Sequence, residues 1–140
     1  MGHRLRARRA LRPAGAILAA LCFAAHAAGA AGQGRIVNEA DDGGTILARV
    51  GERFALRLPE NPSTGYGWAL ETVDPARLEV EEGPFRAQAG RLGAGGEATW
   101  TVTARAPGTT TLGLKYWRPW EGDASVVRRF GATFRIAPAQ

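Results

Sequence analysis

Apolar side chains recur at every second position in several separate runs. Phe54, Leu56 and Leu58 alternate with Ala55 and Arg57, and Tyr66, Trp68 and Leu70 with Gly67, Ala69 and Glu71. Trp100, Val102 and Ala104 alternate with Thr101, Thr103 and Arg105. Leu112, Leu114 and Tyr116 alternate with Gly113, Lys115 and Trp117, and Phe130, Ala132, Phe134 and Ile136 with Gly131, Thr133 and Arg135. Period two is the mark of strands with one buried face. Arg35–Asn38 and Thr45–Val50 read as edge strands. Asp42-Gly43-Gly44, Pro59–Gly65, Ala106-Pro107-Gly108 and Glu121-Gly122-Asp123 supply the turns. Only Asp74–Leu78 hints at a helical turn, and no stretch sustains a 3.6-residue period. Seven or eight short strands with regular turns predict an all-β fold, an immunoglobulin-like antiparallel β-sandwich. Parity places Trp68 and Tyr116 inside it. Trp120, beyond Pro119, is expected outside.

The chain has 140 residues, and its first thirty differ from the rest. Met1–Arg12 is basic and free of acids, and Ala14–Ala30 is uncharged and rich in alanine. Ala28-Gly29-Ala30 has the small-x-small form of a cleavage site, and Ala25-His26-Ala27 offers a second. The pattern predicts a signal peptide over 1–30, a domain over 31–140, and export to the periplasm or beyond the cell. Cys22 is a poor lipoprotein cysteine because Leu21 stands where a small residue is expected. Arg8-Arg9 lacks the flanks of a twin-Arg signal and reads as ordinary leader charge. The apolar run is shorter than the roughly 20 residues a membrane span needs.

Removing this segment changes the charge. It carries five of the 18 Lys and Arg and none of the 13 acids, so the remainder is formally neutral. A nucleic-acid binder needs a basic patch on the folded domain, and neutrality argues against one. His3, His26 and Cys22, the only His and Cys, leave as well. The remainder can build no Ser-His-Asp triad, no Cys-His pair, no His- or Cys-ligated zinc site and no disulfide. No metal or cofactor is expected. A glycosidase would need two facing carboxylates, but Asp41-Asp42, Glu79 and Glu81-Glu82 sit in turns or on solvent faces.

Three loops remain unexplained by folding alone. In Asn61-Pro62-Ser63-Thr64-Gly65-Tyr66, Pro62 fixes its own φ and forces Asn61 to be extended. The Asn61 side chain can bond backbone two residues on, and Gly65 can take a positive φ. This predicts a stiff loop presenting two hydroxyls, Ser63 and Thr64. The middle proline rules out glycosylation at Asn61. Gly93-Ala94-Gly95-Gly96 matches a dinucleotide fingerprint formally, but a strand follows it where that motif needs a helix. It reads either as a flexible turn or as a loop that lets a partner's backbone approach. In Tyr116-Trp117-Arg118-Pro119-Trp120, the residue types are those that dominate binding hot spots, and Pro119 lowers the entropy lost on binding. In an Ig-like sandwich the first and third loops, as the B–C and F–G connections, cluster at one end. A D–E placement would bring the second there too.

In this order, Asn61–Tyr66, Gly93–Gly96 and Arg118-Pro119-Trp120 resemble the three signature loops of the chagasin family of papain-like cysteine peptidase inhibitors. The resemblance runs from about Ile36 to Ile136. It implies an Ig-like sandwich acting as a monomeric wedge that blocks the peptidase cleft reversibly and competitively without being cleaved. Asn61–Tyr66 would lie over the enzyme's Cys-His pair, Arg118–Trp120 on the primed side, and Gly93–Gly96 on the other. Many members carry Thr where this chain has Ser63. The missing methyl is worth about 1 kcal/mol, about tenfold in affinity at most. The alternative is an Ig-like interaction module with another surface protein or a glycan as partner, since exposed Trp and Tyr also suit sugar stacking.

Overall fold

The computed structural model describes residues 34–88, 93 and 95–139. The expected signal peptide, its cleavage sites, Cys22 and Ala94 lie outside the described residues. Nine strands form two sheets. One sheet holds β1 (Arg35–Val37), β3 (Arg53–Glu60), β7 (Gly96–Ala104) and β5 (Leu78–Glu82) in that order, with the two-residue β6 (Arg86–Ala87) also pairing with β7. The other holds β2 (Thr45–Arg49), β9 (Arg128–Ala137), β8 (Gly108–Trp117) and β4 (Gly67–Thr72).

The alternating residues become the layer between the sheets. Phe54, Leu56 and Leu58 on β3 lie opposite Val102, Trp100 and Ala98 on β7, and all six are buried. Leu112, Leu114, Phe130, Ala132, Phe134 and Ile136 bury the facing side. The Phe54 and Phe134 rings meet edge to face with centroids 5.4 Å apart, so one aromatic pair joins the two sheets. Each large apolar side chain buried here contributes about 1.5–3 kcal/mol.

The sandwich is as expected, with four differences. The described residues hold nine strands rather than seven or eight, because Leu78–Glu82 and Arg86–Ala87 also pair with β7. The pairings β1–β3 and β2–β9 are parallel, because the chain crosses from one sheet to the other at Asn38–Gly44 and continues in the opposite sense. Leu70 is 39% exposed rather than inward. It sits on edge strand β4, where the register with β8 shifts between Leu70 and Thr72. Trp68 and Tyr116 have inward parity but are only half buried. They pair with each other at the loop end of β4 and β8, with ring centroids 4.9 Å apart.

The strand directions decide where the loops go. Glu60 pairs with Gly96 across β3 and β7, and Gly67 pairs with Trp117 across β4 and β8. The segments after Glu60, before Gly96 and after Trp117 therefore all leave from one end of the sandwich. A hollow of about 820 Å³, lined by Arg35, Leu47, Arg49 and Arg135 among others, opens at the other end. The candidate site is a projection, with a smaller hollow of about 320 Å³ beside it, lined by Glu60, Asn61, Gly95 and Tyr116 among others.

Candidate functional site

Asn61 organises the first loop. Its backbone is extended (φ −122°) and it caps the short 3-10 turn Pro62–Thr64. Its Oδ1 accepts from the Ser63 N–H at 3.1 Å and from Ser63 Oγ at 2.6 Å. Its carbonyl accepts from Thr64 N at 3.1 Å and from Thr64 Oγ1 at 2.7 Å. Gly65 closes the turn at φ +79°, the left-handed region where a side chain is strained. The two hydroxyls expected at the surface are therefore engaged inside the loop. Pro62, Ser63 and Thr64 are exposed, so the loop offers its carbon surface outward. Because the Ser63 hydroxyl is held by Asn61, a threonine there would add its methyl without disturbing that bond.

The same asparagine ties the loop to its surroundings. Its Nδ2 donates to the Gly93 carbonyl at 3.2 Å, and its backbone N–H donates to the Tyr116 hydroxyl at 3.3 Å. The Tyr116 ring packs at a tilt against both Tyr66 (5.5 Å, 32°) and Trp68 (4.9 Å, 33°). Trp68 Nε1 donates to the Pro59 carbonyl at 2.9 Å, and the Glu60 carboxylate accepts from the Trp68 N–H at 3.0 Å. This half-buried aromatic plinth carries the loop.

The glycines of the second loop serve the chain's own packing. A Cβ on Gly95 (φ +75°) would stand 2.9 Å from the Glu60 carbonyl oxygen and 3.3 Å from Asn61 Cβ. One on Gly96 would stand 2.0 Å from the Arg86 carbonyl oxygen and 2.8 Å from the Phe85 ring. Only at Gly93 (φ +76°) is the space beyond the backbone open. Gly95 and Gly96 thus let two segments of this chain close on each other, and Gly93 is the glycine free to face a partner.

The third loop is two successive 3-10 turns, Pro119–Glu121 and Asp123–Ser125. Buried Ser125 holds them: its Oγ accepts from the Arg118 N–H at 2.9 Å and lies 2.7 Å from the Gly122 carbonyl. Sequence reasoning passed over this serine, and over Phe85, which covers Gly96; neither lies in a distinctive local pattern. Lys115 reaches across to Asp123 at 2.8 Å and stands 3.6 Å over the Trp117 ring. That hydrogen bond and charge hold the Asp123 carboxyl below the ordinary carboxylate value. Trp120 is 70% exposed, as its place beyond Pro119 predicts.

Two links join the third loop to the first. Arg118 donates from Nε (3.2 Å) and Nη2 (2.9 Å) to the Thr64 carbonyl, with its guanidinium 4.4 Å from the centre of the Tyr66 ring. The Trp120 indole leans on Gly65 so closely that a Cβ there would be 2.6 Å from Cη2. Three of the five acids expected to be solvated also have partners. Asp41 closes the capping box of the Glu39–Asp41 turn, Asp42 accepts from the Gly131 N–H at 2.9 Å, and Glu79 pairs with Arg105. No group of three potential metal ligands occurs among the described residues.

A disulfide-free sandwich with three braced loops at one end, two of them stiffened by prolines and one tipped with an exposed tryptophan, is the architecture of a loop-presenting binding protein. The chain belongs to the chagasin family: residues 48–134 match chagasin family peptidase inhibitor I42. It is 36% identical over 99 residues to chagasin of Trypanosoma cruzi, covering 67% of this chain and 90% of that protein. It is 29% identical over 89 residues to amoebiasin-1 of Entamoeba histolytica, covering 64% and 87%. The crystal structure of the Entamoeba histolytica cysteine protease inhibitor EhICP2 superposes with a TM-score of 0.65 at 25% identity, covering 74% of this chain and 94% of that one. The family consists of peptidase inhibitors.

Proposed function

We propose that this protein is a reversible, competitive inhibitor of papain-like cysteine peptidases and blocks the active-site cleft with its three loops. The observation that carries this reading is the bracing of the loops at one end: Asn61 bonds the Gly-rich loop and Arg118 bonds the Asn61 loop. A wedge of this kind obstructs without offering itself for cleavage. The carbonyl of Asn61 is occupied by two donors from Thr64 and that of Thr64 by Arg118, which resists the reorientation a thiolate attack needs. The exposed surface of Asn61–Tyr66 would sit over the catalytic pair, Trp120 against the primed side, and Gly93 and its neighbours against the other. A standard interface buries about 800 Å² per partner, which three loops can supply.

The chain contributes obstruction, and the catalytic chemistry belongs to its target. The remainder after residue 30 has no His or Cys, in keeping with a non-enzyme. The basic, then alanine-rich leader ending at Ala28-Gly29-Ala30 supports export to the periplasm or beyond, with the inhibitor acting there as a monomer. Titration of residues 31–140 against papain and a cathepsin L-type enzyme with a fluorogenic substrate tests the reading. Inhibition should be reversible, with an apparent constant that rises linearly with substrate concentration. Inhibition unaffected by substrate would overturn it.

A further inference from the structure

We propose that Arg118 is a positioning residue, whose guanidinium clamps the Asn61–Tyr66 loop to the Arg118–Trp120 turn so that the wedge is formed before any peptidase arrives. This rests on the inhibitory reading above, within which the family resemblance would make Arg118 part of the contacting turn. The geometry directs its polar atoms elsewhere. Nε and Nη2 converge on the single carbonyl of Thr64 at 3.2 and 2.9 Å. Nη1 lies 3.4 Å from the Glu121 carboxylate. The flat face covers Tyr66 at 4.4 Å, and the backbone N–H is taken by buried Ser125. Fork, face and main chain are all committed within the molecule, and the side chain is 34% exposed.

The consequence is mechanical. Tyr66 is fixed between Arg118 and Tyr116, and Tyr116 also holds the Asn61 N–H. Asn61 in turn holds Gly93. The clamp therefore closes a circuit through all three loops. Without it the Asn61 loop keeps its internal turn but loses its fixed bearing relative to Trp120. When only a fraction of the free molecules is correctly formed, affinity falls by that fraction, and the loss appears in association more than in dissociation. Lysine cannot replace the clamp: its ammonium is a point charge with neither the planar fork nor the stacking face.

The test uses Arg118→Ala and Arg118→Lys in residues 31–140, with amide exchange on the free proteins and association and dissociation rates against papain and a cathepsin L-type enzyme. Both variants should keep the parent's sandwich protection while the Asn61 amide, held from outside the turn by the Tyr116 hydroxyl, exchanges faster. Affinity should fall about 10- to 100-fold, mostly in the association rate, by a similar factor for both enzymes. Unchanged loop exchange with weakened binding would make Arg118 a direct contact and overturn the proposal. So would a loss confined to dissociation, or to one enzyme. If the parent inhibits neither enzyme, the inhibitory reading fails, while the exchange measurement still decides whether the clamp exists.

Discussion

Replacing Gly65 with alanine separates two effects that meet at one atom. Gly65 sits at φ +79°, and a left-handed residue with a Cβ costs about 1–2 kcal/mol. In a domain of about 100 residues that lowers Tm by roughly 4–16 °C. The new methyl would also lie 2.6 Å from Trp120 Cη2 and 3.0 Å from Cζ2, where carbon atoms normally rest about 3.5–4.0 Å apart. Something must retreat by about 1 Å, and the 70%-exposed indole is the part free to do so. Its displacement costs little stability, so the strain shows in Tm and the clash shows in binding. A tryptophan hot spot is worth about 2 kcal/mol or more, or about 30-fold. The assay is a double-mutant cycle read by calorimetry and by inhibition of papain. Gly65→Ala should lower Tm equally with and without Trp120→Ala. It should weaken inhibition by about tenfold or more only when Trp120 is present. Trp120→Ala alone should weaken inhibition and leave Tm nearly unchanged. Equal affinity losses in both backgrounds, or a Tm drop confined to one, would refute the separation.

Gly95→Ala should also weaken inhibition, through a different cause: its methyl meets the Glu60 carbonyl oxygen, a backbone atom that cannot swing away, so Gly93 leaves Asn61. Unchanged inhibition would remove that loop from the interface. Trp68→Ala should cost about 2–4 kcal/mol in urea unfolding, since it removes the ring under Tyr116 and the bond to Pro59; an unchanged midpoint would show that the plinth bears no load. The depressed Asp123 carboxyl gives a signed pH prediction. A lowered folded pKa means the Lys115–Asp123 pair stabilises fully above the unfolded value of about 3.9 and loses that contribution as pH falls through the folded value. The Tm difference between the parent and Asp123→Asn should be constant from neutral pH to about 4.5 and shrink below it. A difference that grows on acidification would contradict the assignment.

The layer between the sheets was legible because alternation reports directly on burial: Phe54, Leu56, Leu58, Leu112, Leu114 and Phe134 are inside. Alternation has no sense of direction, so nothing in Arg35–Val37 or Thr45–Arg49 announced parallel pairing. It is blind to position within a sheet as well, so the exposure of Leu70 on an edge and the half-burial of Trp68 and Tyr116 at the sandwich end did not show. In the loops, local chemistry was readable and partners were not. The capping role of Asn61 and the positive φ of Gly65 follow from neighbours two to four residues away. The bond from Asn61 to Gly93 spans 32 residues and that from Arg118 to Thr64 spans 54, and only folding brings those groups together. The hydroxyls of Ser63 and Thr64 looked like surface donors because the sequence does not reveal that Asn61 engages both.

The central claim is that a preformed wedge covers the nucleophile of a papain-like peptidase and survives the encounter. Its most direct test is the alkylation rate of papain's active-site thiol by iodoacetamide in the presence of residues 31–140, with the mass of the inhibitor followed over hours. The account predicts that alkylation slows in proportion to the inhibited fraction, that it recovers on dilution, and that the inhibitor's mass does not change. Alkylation at the uninhibited rate while hydrolysis is blocked would place the obstruction away from the thiol, and cleavage within Asn61–Tyr66 would make the loop a substrate instead of a wedge.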